Sequence, residues 1–111
     1  MIRAENKSEK SIQHMVFFWL KNPLDEKSRA IFENSMRTLL STSKFTKNAY
    51  FGIPSSINRA VVDTSYTYCL TINFKNLEEH NNYQIDSAHK LFIAECSNLW
   101  DKVQIYDSES L

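Results

Sequence analysis

The sequence predicts an α+β chain of the ferredoxin-like kind, β-α-β-β-α-β, with helices on one face of an antiparallel sheet. Three observations lead there. Two segments, IQHMVFFWL and YTYCLTINF, are rich in strand-forming residues at a period of two. Two others carry apolar residues at helical spacing. The predicted strands and helices alternate in the order of a split βαβ repeat.

The first strand begins at Ile12. His14, Val16, Phe18 and Leu20 share one face, and Met15, Phe17 and Trp19 share the other. Both faces are largely apolar, which predicts cover on both sides. One helical layer supplies one cover; a partner subunit is the simplest source of the second. Asn22-Pro23 ends the strand. A helix is predicted from about Asp25 to Leu40, with Asp25 and Glu26 suited to its positive end and Phe32, Met36, Leu39 and Leu40 as its core stripe. Residues 41–49 read as a loop and Tyr50–Ile53 as a short strand that Pro54 breaks. Arg59–Asp63 is expected to extend or precede the next strand. There Tyr66, Tyr68, Leu70, Ile72 and Phe74 form the apolar face. Asn76, with Glu79 three residues on, resembles a capping box and opens a short helix to about Tyr83. A second helical stretch carries Phe92, Cys96, Leu99, Trp100 and Val103, and Val103–Asp107 forms the last strand.

Bulk properties narrow the function. A chain of 111 residues is one domain by length, and 42% hydrophobic residues suffice for a small core. Thirteen basic and thirteen acidic residues cancel, so the charge footprint of a nucleic-acid binder is missing. No apolar run approaches a membrane span. Residues 1–11 read as a flexible polar tail without the apolar middle of a signal peptide, so the cytoplasm is the expected compartment. Cys69 and Cys96 lie outside any C-x-x-C or zinc-type spacing and read as reduced thiols, Cys96 in the core.

The stretch YQIDSAH, residues 83–89, carries the chemistry-bearing pair Tyr83 and His89. On one unbroken helix a spacing of six turns two side chains roughly 240° apart, at about 100° per residue. They converge only if the backbone breaks, and Asp86 or Ser87 is suited to cap a new helix after such a break. With Asp86 as the cap, His89 is the third helical residue. The helix dipole then lowers its pKa and Asp86 raises it, and sequence alone leaves the balance open. A neutral imidazole is what a general base requires.

From His14-Met15-Val16-Phe17-Phe18-Trp19-Leu20-Lys21, through Gly52, Arg59–Asp63, Tyr66–Phe74 with its Asn-Phe-Lys turn, Tyr83, His89 and Phe92, to Val103–Ser108, the chain resembles the stress-responsive A/B barrel (Dabb) family. The resemblance implies one such domain over 12–111, and a homodimer whose two sheets face each other as an α+β barrel. The family's plant members are linked to stress tolerance. It includes a polyketide cyclase that works by aldol condensation without metal or organic cofactor. Its catalytic histidine and tyrosine match His89 and Tyr83, and a first-strand histidine matches His14. One departure stands between them: Asp86-Ser87 replaces the His-Pro pair frequent in the family.

The residues therefore yield two functional readings. In the first, His89 is a base, Tyr83 an oxyanion partner and His14 an orienting group, at the rim of an apolar pocket of Phe18, Tyr68, Phe92 and Trp100 that takes a small apolar ligand. In the second, those four side chains fill the space, and the protein is a non-catalytic dimeric stress or structural protein. A heme-degrading or quinone-forming monooxygenase would share the architecture only. No cofactor is expected, since nothing marks a heme or flavin site, and no metal, because a metal site on His14 and His89 lacks an evident carboxylate. His80, beside Glu79, is expected to face solvent.

Overall fold

The computed structural model describes residues 10–111. The expected tail thus lies, up to residue 9, outside the described residues. Strand β1 (Ile12–Leu20) pairs antiparallel on one side with β3 (Tyr68–Phe74) and on the other with β4 (Trp100–Glu109). Strand β2 (Ala49–Gly52) adds to the outer side of β3, giving the order β2-β3-β1-β4. This is the ferredoxin-like arrangement that the sequence predicts. Helix α1 (Glu26–Thr42) joins β1 to β2; α2 (Leu77–Gln84) and α3 (Ser87–Cys96) lie between β3 and β4.

Each helix starts where a side chain can receive an otherwise unbonded backbone N–H. Asp25 accepts from Ser28 N at 3.0 Å and Asn76 from Glu79 N at 3.0 Å. Glu79 reaches back to accept from Lys75 N at 2.8 Å, which completes a reciprocal cap of the capping-box kind one residue earlier. The core lies under the helices. Ile12, Val16, Phe18 and Leu20 of β1 and Leu70, Ile72 and Phe74 of β3 meet Phe32, Met36 and Leu39 of α1 and Phe92 and Cys96 of α3. Phe32 is fully buried and stacks on Tyr68, with ring centroids 4.7 Å apart and planes 4° from parallel.

The outer face of β1 is half-covered by its own neighbours. Phe17 meets Tyr66 at 5.0 Å and Tyr106 at 6.2 Å, and the Lys102 ammonium lies 4.6 Å from the Trp19 ring. Tyr66 is therefore on the opposite face from Tyr68, contrary to the alternation expected from Tyr66 onward. The ladder starts only at Tyr68: Thr67 spends its N–H on Phe18 O and its hydroxyl oxygen on Leu20 N. Arg59–Asp63 forms no strand. It lies in the connection after Pro54, folds as a turn closed by Val62 N donating to Arg59 O, and leaves Val61 exposed. The second helical stripe is also shorter than expected. Helix α3 ends at Cys96, Leu99 N donates back to Cys96 O, and Trp100 and Val103 belong to β4 opposite Leu20 and Phe18.

Phe32→Ala removes the ring that both β3 and α3 pack against. It should cost about 3–5 kcal/mol, the usual range for a buried aromatic. Urea unfolding at fixed protein concentration measures it, and a loss under 1 kcal/mol would contradict the packing described.

Candidate functional site

Helices α2 and α3 are two helices because Ile85 and Asp86 leave helical geometry, Asp86 at φ −65° and ψ 134°. One Asp86 carboxylate oxygen accepts from Ala88 N at 3.5 Å, and the other from the Ser43 hydroxyl at 2.6 Å. The cap is thus tied to the end of α1. The break brings Tyr83 and His89 together, with ring centroids 4.3 Å apart and planes at 37°. Tyr83 is 1% exposed. Across from it on β1, buried His14 presents its ring edge at 6.0 Å.

These three residues line a cavity of about 200 Å³ between the bend and the β1–β4 half of the sheet. Val16, Phe18, Phe92, Trp100 and Val103 supply apolar walls. The space exists because α1 and α3 cover β1 and β3 better than β4, where Ile105 on the same inner face is 48% exposed. Tyr68 does not line it. Its ring is held between Phe32 and Phe51, and its hydroxyl donates to Glu33 Oε2. Tyr68 is core, because the stack with α1 lies toward β2, away from the bend.

The electrostatics suit a neutral imidazole beside a protonated phenol. Burial lowers the His89 pKa below its ordinary 6.5, and the nearby His14 adds to this; the Gln84 carbonyl and Asp86 oppose it and lose. The Gln84 carbonyl accepts from His89 Nδ1 at 3.5 Å, which leaves Nε2 as the basic nitrogen of the neutral ring. Burial, and then the Asp86 charge, push the Tyr83 phenol well above its ordinary 10.0. Among the described residues the Tyr83 hydroxyl has no hydrogen-bond partner. A buried polar group left so costs roughly 1–3 kcal/mol.

Sequence reasoning missed two neighbours. Asp107 lies directly opposite His14 in the β1–β4 register, and His14 Nδ1 donates to its Oδ1 at 2.5 Å. His80, expected to face solvent, turns inward instead. It meets His14 edge-on at 5.5 Å and Phe74 at 5.6 Å, and its Nε2 is 3.4 Å from Asp107 Oδ2. Both were legible in principle. His80 is three residues before Tyr83 on one helix, so the two share a face. Alternation from Val103 and Ile105 puts Asp107 on the inner face, where a carboxylate is out of place without partners.

A four-stranded antiparallel sheet covered by helices on one face, with a polar-rimmed cavity under a broken helix, is a ferredoxin-like α+β architecture. The chain belongs to the Stress Responsive A/B Barrel Domain (Dabb) family, whose model matches residues 12–110. It is 22% identical over 97 residues to the olivetolic acid cyclase of Cannabis sativa, covering 87% of this chain and 94% of that one. Among solved structures it is similar to a hydroxynitrile lyase from Passiflora edulis, with a TM-score of 0.74, 17% identity, and coverage of 93% and 95%. It is also similar to a dimeric ferredoxin-like protein of unknown function from Thermobifida fusca, with a TM-score of 0.72, 13% identity, and coverage of 91% and 92%. No helix among the described residues is long and apolar enough to cross a membrane.

The His89 shift sets a pH signature. Its folded pKa is depressed, so below about 6.5 the unfolded chain takes up a proton that the folded chain resists. Stability is therefore lost as pH falls from about 6.5 toward the folded value. His89→Gln should flatten that part of the stability curve, read as urea midpoints between pH 7.5 and 5. An unchanged slope would mean that His89 titrates normally.

Proposed function

We propose that the protein is a homodimer that binds a small, largely apolar carbonyl compound and acts on it by cofactor-independent acid–base chemistry of the polyketide-cyclisation type. The observation that carries this reading is the buried Tyr83 hydroxyl, unpartnered among the described residues and beside the His89 imidazole at one cavity. In the proposed step His89 Nε2 takes a proton from carbon next to a carbonyl. The enolate oxygen accepts from the Tyr83 hydroxyl. The carbanion attacks a second carbonyl in the same molecule, forming the carbon–carbon bond, and the alkoxide takes the proton back from His89. His14, held by Asp107, orients the ligand from the strand side. The similarity to a cyclase and to a hydroxynitrile lyase supports an enzymatic reading of such a site. At about 200 Å³ the cavity suits a ligand smaller than those of typical pockets of roughly 300 Å³ and above.

The alternative is a non-catalytic dimer, favoured by how much of the space Phe18, Phe92 and Trp100 already fill. Ligand-induced stabilisation separates the two. Screened by thermal shift against small aromatic polyketides, olivetolic acid among them, the wild-type protein should gain stability. At a concentration a hundred times Kd the gain is about 2.7 kcal/mol. His89→Ala and Tyr83→Phe should abolish the gain; the ligand-free midpoint should hardly move in the first and should rise in the second, which removes an unpartnered buried hydroxyl. No stabilisation by any compound, with both variants lowering the ligand-free midpoint instead, would leave the structural reading.

The homodimer is supported by the apolar outer face of β1 and by the dimeric description of the Thermobifida fusca protein. Sedimentation equilibrium should give twice the chain mass of 13.0 kDa. Phe17→Glu, which places a charge at the centre of that face, should give the single-chain mass. A cytoplasmic setting is supported by two cysteines that are buried and unpaired.

A further inference from the structure

We propose that His14, His80 and Asp107 form a binding site for a divalent transition metal of the zinc class, at the β4 edge beside the cavity. One ligating atom from each residue lies within 4.8 Å of the other two. Two imidazoles and one carboxylate are a donor set that zinc accepts in three-ligand sites with an open fourth position. Bond lengths of about 2.0–2.2 Å in a tetrahedral site put ligand atoms about 3.4 Å apart. His80 Nε2 and Asp107 Oδ2 are 3.4 Å apart, so no large movement is needed there.

The surroundings of His80 suit such an ion. Asn81 Oδ1 lies 3.1 Å from His80 Nδ1, and the tautomer that donates there leaves the Nε2 lone pair, 3.4 Å from Asp107 Oδ2, for a metal ion between them. At His14 the ion displaces Asp107 from Nδ1, and the neutral ring carries its proton on Nε2 instead, so no net proton is released. The three residues sit on rigid elements, β1, α2 and β4. His14 is nearly enclosed, whereas the side chains of His80 and Asp107 are 18% and 40% exposed, which leaves a path from solvent. The site uses neither Tyr83 nor His89; it shares His14 with the cavity, and metal uptake tests it without reference to turnover.

The test is metal uptake by the untagged full chain. Zn²⁺ is titrated in competition with a chromophoric chelator, and Co²⁺ is followed by the visible absorption of a low-coordinate site. One equivalent per chain is expected, together with a thermal shift. His80→Ala and Asp107→Asn should each weaken binding by more than the roughly 10–100-fold typical of changes outside the ligand set. His89→Ala should bind as the wild type does. Circular dichroism of the metal-free variants checks their fold, and either variant suffices if the other fails to fold. Lack of one-to-one uptake, or uptake unchanged in a folded His80→Ala or Asp107→Asn protein, overturns the proposal.

Discussion

The structure depends on a constraint placed on one strand. β1 is hydrogen-bonded along both edges and carries large side chains on both faces. Such a strand is stable only when every direction around it is occupied. Its edges are occupied by β3 and β4, and its inner face by α1 and α3. The outer face receives only grazing cover from Tyr66 and Tyr106, leaving Phe17 and Trp19 half-buried. The same strand places His14 where polar groups are scarce. The need for cover outside and the presence of a polar site inside are thus two consequences of one nine-residue segment.

The site itself depends on a break. An unbroken helix through residues 77–96 would hold Tyr83 and His89 on different sides. Asp86 prevents this by offering its carboxylate to the start of α3 and to Ser43 at the end of α1. The second bond matters as much as the first, since a free cap would let α3 pivot about Ile85. Tied to α1, the bend keeps its angle over the sheet, and the cavity keeps its roof. The charge that makes the cap also raises the Tyr83 phenol pKa, so one carboxylate both positions the pair and helps keep the phenol protonated.

The elements that the sequence made legible were those with a strong local pattern. β1, α1 and the bend at Asp86 follow from alternation, helical spacing and capping chemistry. What stayed illegible were features set by distant partners. Tyr66 changed face because Thr67 was recruited to Phe18 and Leu20, forty-odd positions earlier. Arg59–Asp63 has strand-forming residues and no edge to pair with. Trp100 fits a helical stripe by spacing, yet pairing with Leu20 claims it for β4. In the site, His14, Tyr83 and His89 converge as the bend implied, whereas Tyr68 was drawn to Phe32 by a stacking contact that no local pattern announces.

Asp107 shows why charge on an apolar face deserves a physical account. Its residue is exposed, but its carboxylate turns toward two imidazoles and shares its oxygens between them. A carboxylate at a sheet edge gains little from a single exposed ion pair. Here it fixes the ring of a buried histidine that itself borders the cavity, and any change at Asp107 reaches Tyr83 and His89 through His14. Edge and cavity are therefore linked by one ring. The ring that meets Asp107 at the edge is the ring that lines the cavity, so the Asp107 carboxylate fixes how His14 is presented on the strand side.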